Sequence, residues 1–123
     1  MKVYLAGDMK SGWQDRLMRE CTVPHEWLDP RSHGLESPWE YSKWDLDAID
    51  ACDVLVAHMH PGNPSGLGMS LEVGYAHGVG KPIIFWDEIG RDWRAKYFGM
   101  VRFVATFIVT DVGAAARELD QLL

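Results

Sequence analysis

Cysteine is scarce. Cys21 and Cys52 are the two in 123 residues, too few and too isolated for a disulfide framework or a zinc cluster, which suits a reducing compartment. No apolar run approaches the ~18 residues that cross a bilayer, and the N-terminal Met-Lys-Val-Tyr-Leu-Ala-Gly enters a strand pattern at once rather than a signal peptide. Positive charge is short, with 12 Lys and Arg against 18 Asp and Glu for a formal net charge of −6. That balance argues against a nucleic-acid polymer as partner and leaves a single nucleoside or nucleotide open. Repeats, low-complexity tracts and linkers are missing as well. These absences point to one cytoplasmic domain over residues 1–123, long enough for its own core.

Charge is almost absent from one stretch in particular. Between Gly66 and Gly80 the sole formally charged side chain is Glu72. The stretch follows the apolar run Val54–Ala57 and leads into Ile83–Trp86, with Gly66-Leu-Gly68 between. That order reads as strand, glycine-rich loop, helix, strand, one βαβ unit. A lone carboxylate in an otherwise apolar helix is costly if it merely packs, and near a helix N-terminus the dipole favours it as an anion. Glu72 is therefore a candidate nucleophile. The competing reading is a helix-surface residue at a dimer contact.

What is present elsewhere repeats the strand-helix alternation. Lys2–Ala6 reads as a buried strand ending at Gly7-Asp8, and Ser11-Gly-Trp-Gln14 has capping-box form for a helix from Gly12 to about Cys21. His25–Leu28 is a weak second strand, and Asp29–Glu36 a polar loop. Ser37-Pro-Trp-Glu40 combines an N-cap serine, a first-turn proline and a third-position glutamate, opening a helix with the stripe Tyr41, Trp44, Ala48, Ile49 and Cys52. Asp45 falls within that stripe, so it needs a partner or a task; capping backbone amides would also satisfy it. Asp53–Ala57, Pro82–Trp86 and Phe103–Val109 read as further strands. Asp87–Met100 reads as irregular, and Asp111 caps a last helix with Val112, Ala115, Ala116, Leu119 and Leu122 inward. The pattern predicts a doubly wound, Rossmann- or flavodoxin-like α/β sandwich of about five parallel strands, with ligands at the carboxyl ends of the strands. His58-x-His60 follows a strand with no carboxylate or cysteine beside it in sequence, so solvated or ligand-side histidines are expected there rather than a metal. No metal or cofactor is expected. Gly66-Leu-Gly68 lacks the third glycine of a dinucleotide fingerprint.

Tyr4-Leu-Ala-Gly7, Asp45-Leu-Asp-Ala-Ile-Asp-Ala-Cys-Asp53, Gly66-Leu-Gly-Met with Glu72-Val-Gly-Tyr-Ala, and Gly80-Lys-Pro together resemble the nucleoside 2-deoxyribosyltransferase family. That family includes related 2'-deoxynucleoside 5'-monophosphate N-glycosidases. The resemblance implies double displacement at the anomeric carbon. Glu72 matches the nucleophile that attacks C1' and forms a deoxyribosyl ester, which a second base or water then resolves. Asp45 matches the aspartate that contacts the sugar and assists the nucleophile. Tyr4 matches the tyrosine that hydrogen-bonds the nucleophilic carboxylate and would keep it ionised, although plain core packing would also account for a tyrosine there. Gly7 and Asp8 would sit beside the sugar or base.

One departure stands out. Transferases of the family usually carry an aspartate six residues before the nucleophile to help protonate the base, and Gly66 stands there. Asp8 is the expected substitute. Nucleotide-cleaving members tend to carry serine nearby, so Ser65, Gly66 and Gly68 would cradle a 5'-phosphate through backbone N–H groups. Three readings follow: deoxyribosyl transfer between nucleobases, hydrolysis of a deoxynucleoside 5'-monophosphate, or a nucleotide-binding domain without catalysis. Members assemble as dimers or higher oligomers, and Met100 with the Phe98–Phe103 stretch is the expected contribution to a neighbour's pocket.

Overall fold

A computed structural model describes residues 1–122. The elements run β1 (Lys2–Ala6), α1 (Trp13–Glu20), β2 (Glu26–Leu28), α2 (Pro38–Ala51), β3 (Val54–Met59), α3 (Leu67–Gly78), β4 (Ile83–Asp87), α4 (Gly99–Val104), β5 (Phe107–Val109) and α5 (Val112–Gln121). Short 3-10 turns at Pro30–Ser32 and Trp93–Phe98 lie between them. All pairings are parallel, in the order β2-β1-β3-β4-β5. Chain order therefore reverses between β1 and β3, and in such sheets ligands bind at the carboxyl ends of the strands flanking that point.

Side chains alternate across the strands, so each strand feeds two cores. Tyr4, Ala6, Leu55, Ala57, Met59, Ile83 and Phe85 face α2, α3 and α4, while Val3, Leu5, Val54, Val56, Ile84 and Trp86 face α1 and α5. The strands read as unbroken apolar runs because both faces are covered. Asp111 caps α5 by accepting from the Ala114 N–H at 2.8 Å, as its sequence position foretells.

Four local expectations are corrected. α1 starts after Gly12 (φ +76°), not from a Ser11 capping box, because Gln14 turns inward to donate to the Asp8 carbonyl at 2.9 Å. Ser37 stands at the N-cap of α2 but its hydroxyl makes no capping bond. β5 begins at Phe107, because Phe103 and Val104 continue α4, where Arg102 reaches Asp87 at 2.8 Å and the Ala95 carbonyl at 2.8 Å. A β-branched and aromatic composition yields there to a tertiary ion pair. Leu122, expected inward, is 37% exposed beyond the end of α5.

Candidate active site

The carboxyl ends of β1 and β3 open into a cleft of about 360 Å³ between α2 and the start of α3. Its lining includes Gly7, Asp8, Asp45, Ser65, Gly66, Gly68 and Glu72, seven of the eight site residues expected from sequence. The eighth, Tyr4, is fully buried one layer behind. Its hydroxyl donates to Glu72 Oε2 across 68 residues of sequence.

Glu72 occupies the second turn of α3, beyond the reach of a dipole effect that fades within the first turn. Burial and the neighbouring Asp45 charge outweigh the Tyr4 hydrogen bond and push its carboxyl up to about 8. The expectation that Tyr4 keeps Glu72 ionised in the resting site is thus corrected: desolvation is the larger effect. Tyr4 is raised as well, by burial first and then by Glu72, so it remains a neutral donor. Burial also raises Asp45, whose Oδ1 is buried without a hydrogen-bond partner.

No spacing or motif announced His33, which sits in the polar segment before α2. Its Nε2 lies 3.4 Å from Asp45 Oδ1, and its ring meets Trp44 edge to face at 4.8 Å. The Leu35 N–H donates to Nδ1 at 2.9 Å, so Nδ1 is the acceptor and the Nε2 proton faces Asp45. The side chain is 9% exposed and lines the cleft.

Asp8 does not suit the task of proton donor. Its carboxylate accepts from the N–H groups of Lys10 (2.9 Å) and Ser11 (2.7 Å), from the Ser11 hydroxyl and from His60 Nε2 (2.6 Å). Those bonds outweigh burial and hold it down at about 2. His60 Nδ1 in turn accepts from the Gly62 N–H. His58 was expected in a solvated or ligand-side loop; instead it lies within β3, 1% exposed, between Trp13 and Trp86 and bonded to Glu88 at 2.6 Å. Burial lowers it to about 4. Ligand atoms of Asp8, His58 and His60 lie within 4.8 Å of one another, though each Nε2 already has a carboxylate of its own.

Gly66 has φ +72°, and a Cβ there would lie 2.8 Å from the Phe98 ring and 2.9 Å from Met59 Sδ. An aspartate there would strain the backbone and require Phe98 and Met59 to shift. The cradle expected for a phosphate is also partly filled. Asn63 Oδ1 accepts from the N–H groups of Ser65 (3.4 Å) and Gly66 (3.2 Å), and Ser65 Oγ from that of Leu67 (3.3 Å). Arg94, paired with Asp92, holds this loop by donating to the carbonyls of Pro61, Asn63 and Pro64. Gly7 packs against Trp13, whose ring a Cβ would meet at 2.8 Å, while Gly68 has open space beside it.

A parallel sheet of this order, with a buried glutamate, a tyrosine and an aspartate gathered at its switch point, defines a nucleotide-fold protein with an acid-rich small-molecule cleft. Residues 1–88 match the family described as nucleoside 2-deoxyribosyltransferase like. The chain belongs to that family, which supports cleavage of a nucleoside N-glycosidic bond by transfer or by hydrolysis. No curated protein matches the sequence.

Among solved structures, the 2-deoxyribosyltransferase of Bacillus psychrosaccharolyticus superimposes with a TM-score of 0.72 at 19% identity, over 94% of this chain and 90% of that one. The Clostridium botulinum CMP N-glycosidase BcmB gives 0.66 at 25% identity over 100% of both. A Leishmania mexicana 2-deoxyribosyltransferase gives 0.62 at 22% identity over 78% and 70%.

Proposed function

We propose that the protein transfers 2-deoxyribose between nucleobases through an ester on Glu72. The observation that carries this is the Glu72 carboxyl itself, at the floor of the cleft and hydrogen-bonded to Tyr4. Ionised Glu72 attacks C1' as the glycosidic bond breaks, and Tyr4 steadies the oxygen that does not attack. A 2-deoxy sugar eases the oxocarbenium-like state because no electron-withdrawing hydroxyl sits beside C1'. Asp45, raised by burial against the opposing Nε2–H of His33, hands a proton to the departing base and, once ionised and held by that N–H, takes one back from the incoming base. The incoming base then attacks C1' and releases Glu72.

The lining favours an uncharged nucleoside over its 5'-monophosphate. Three carboxyl groups, Asp8, Asp45 and Glu72, line the cleft, and no lysine or arginine does among the described residues. The N–H groups of Ser65 and Gly66 are already bound to Asn63. A second reading, hydrolysis of a nucleoside monophosphate, draws on the full-length similarity to the CMP N-glycosidase at 25% identity.

Chromatography of products from deoxynucleosides and, separately, their 5'-monophosphates, with and without a second free base, distinguishes these. Transfer predicts a new nucleoside only when the acceptor is present. Free base from monophosphates alone would establish the hydrolase, and binding without turnover the non-catalytic domain. Glu72→Ala is expected to abolish turnover, with circular dichroism unchanged, and intact-mass analysis of the wild type to show a deoxyribosyl adduct that the variant lacks.

A further inference from the structure

At the opposite edge of the sheet the fold assembles a group that sequence spacing hides. Cys21 follows α1, His25 precedes β2, and Asp120 lies in the last turn of α5. One ligand atom from each lies within 4.8 Å of the other two. We infer that Cys21, His25 and Asp120 form a binding site for a zinc-like divalent transition metal.

The donor set is a thiol, an imidazole and a carboxylate, the mixture that favours zinc over the oxygen-seeking alkaline-earth ions. It is also held in place. His25 is 0% exposed at its side chain, with Nε2 at 2.9 Å from Asp120 Oδ1 and Nδ1 buried without a partner. The Trp27 ring meets the imidazole edge to face at 5.4 Å and limits its rotation. The other carboxylate oxygen, Oδ2, accepts from the Thr22 N–H at 2.8 Å and hydroxyl at 3.0 Å, an outer-shell arrangement of the kind that aims a metal ligand.

Zinc bonds of about 2.0–2.3 Å place tetrahedral ligands roughly 3.3–3.6 Å apart, so the Nε2···Oδ1 pair at 2.9 Å opens slightly and the other pairs, within 4.8 Å, close by at most about 1.5 Å. Asp120 and Thr22 also line a separate cleft of about 280 Å³, with Glu20 and Arg117, so the carboxylate is reached from solvent. On binding, the Cys21 thiol loses its proton to solvent and the metal takes its place beside sulfur. The imidazole proton shifts from Nε2 to Nδ1, and the Nε2–H···Oδ1 bond is replaced by two metal bonds. No electron is transferred. The metal ties α5 to the segment between α1 and β2, away from the catalytic cleft.

Titration of the chelator-stripped protein with Co²⁺ tests this independently of any turnover. The expected result is a thiolate-to-cobalt charge-transfer band that saturates at a one-to-one ratio and is bleached by Zn²⁺. Cys21→Ser loses the band, Cys52→Ser keeps it, and Thr22→Val weakens cobalt affinity roughly 10- to 100-fold. In the wild-type protein, which needs no variant to fold, Zn²⁺ is expected to raise the thermal midpoint and to slow labelling of Cys21 while leaving that of Cys52 unchanged. Absence of the band from the wild type, its persistence in Cys21→Ser, or zinc-independent labelling of Cys21 each overturns the site.

Discussion

A carboxyl whose pKa is pushed up to about 8 is largely protonated at neutral pH, so in the proposed mechanism the resting Glu72 must shed a proton before it attacks. Its reactive form grows as pH rises, and kcat/KM is expected to climb through about pH 8. In Tyr4→Phe, loss of the opposing hydrogen bond should move that limb to higher pH and lower the rate about tenfold or more, both read from a pH–rate profile. The same shift acts on stability. Between its ordinary value of 4.5 and about 8, folded Glu72 holds a proton that the unfolded chain has released. Stability therefore falls with rising pH across that window. Glu72→Gln removes this penalty and should exceed the wild type at pH 8 by more than about 1 kcal/mol in urea unfolding. Glu72 was legible in the sequence because no other charge shares its apolar helix, and Asp45 because it breaks an apolar stripe. His33 was not, since it joins Asp45 through a turn closed by a backbone amide, which leaves no periodic trace.

Among the elements, the loop from His60 to Gly66 is held most fully. Arg94 donates to three of its carbonyls, and Asn63 closes two of its amides. Arg94→Ala leaves those carbonyls short of a charged donor and should loosen the loop without unfolding the domain. Because the loop delivers α3, KM should rise in the variant and limited proteolysis should find a new cut between 61 and 66. These bonds run to backbone atoms, so no side-chain pattern announces them. The helices α2 and α5 were readable from their apolar stripes, and α3 from its place between two apolar runs. The boundary between α4 and β5 was not, because the ion pair of Arg102 with Asp87 decides it over a distance of 15 residues.

For the molecule as a whole, large apolar side chains on α3 and α4 are left uncovered among the described residues. Leu67 (76% exposed) and Leu71 (64%) on α3 and Met100 (84%) and Phe103 (88%) on α4 lie on packed neighbouring helices beside the cleft. An apolar area of this kind next to a shallow site suits a second copy of the chain. Paired substitution Leu71→Lys and Met100→Lys is expected to give a monomer in sedimentation velocity and a weaker KM, whereas an unchanged sedimentation coefficient removes this face as the contact. The layered parallel sheet and its order were legible from the alternation of apolar runs and helices. Of the Phe98–Phe103 stretch expected at a neighbour's pocket, Met100 and Phe103 are exposed, whereas Phe98 is buried in this chain's own core, since α4 starts only after it.

Tyr4, Asp45 and Glu72 all come from the portion of chain that matches the family, residues 1–88. Arg94, Phe98 and the exposed side chains of α4 come from the portion after it. The first part thus carries the candidate reacting groups and the second braces them: it ties down the loop before α3, crowds position 66 and adds Met100 and Phe103 to the outer face. A change confined to the second part therefore reaches the cleft only through its rim, as a change of fit rather than of chemistry.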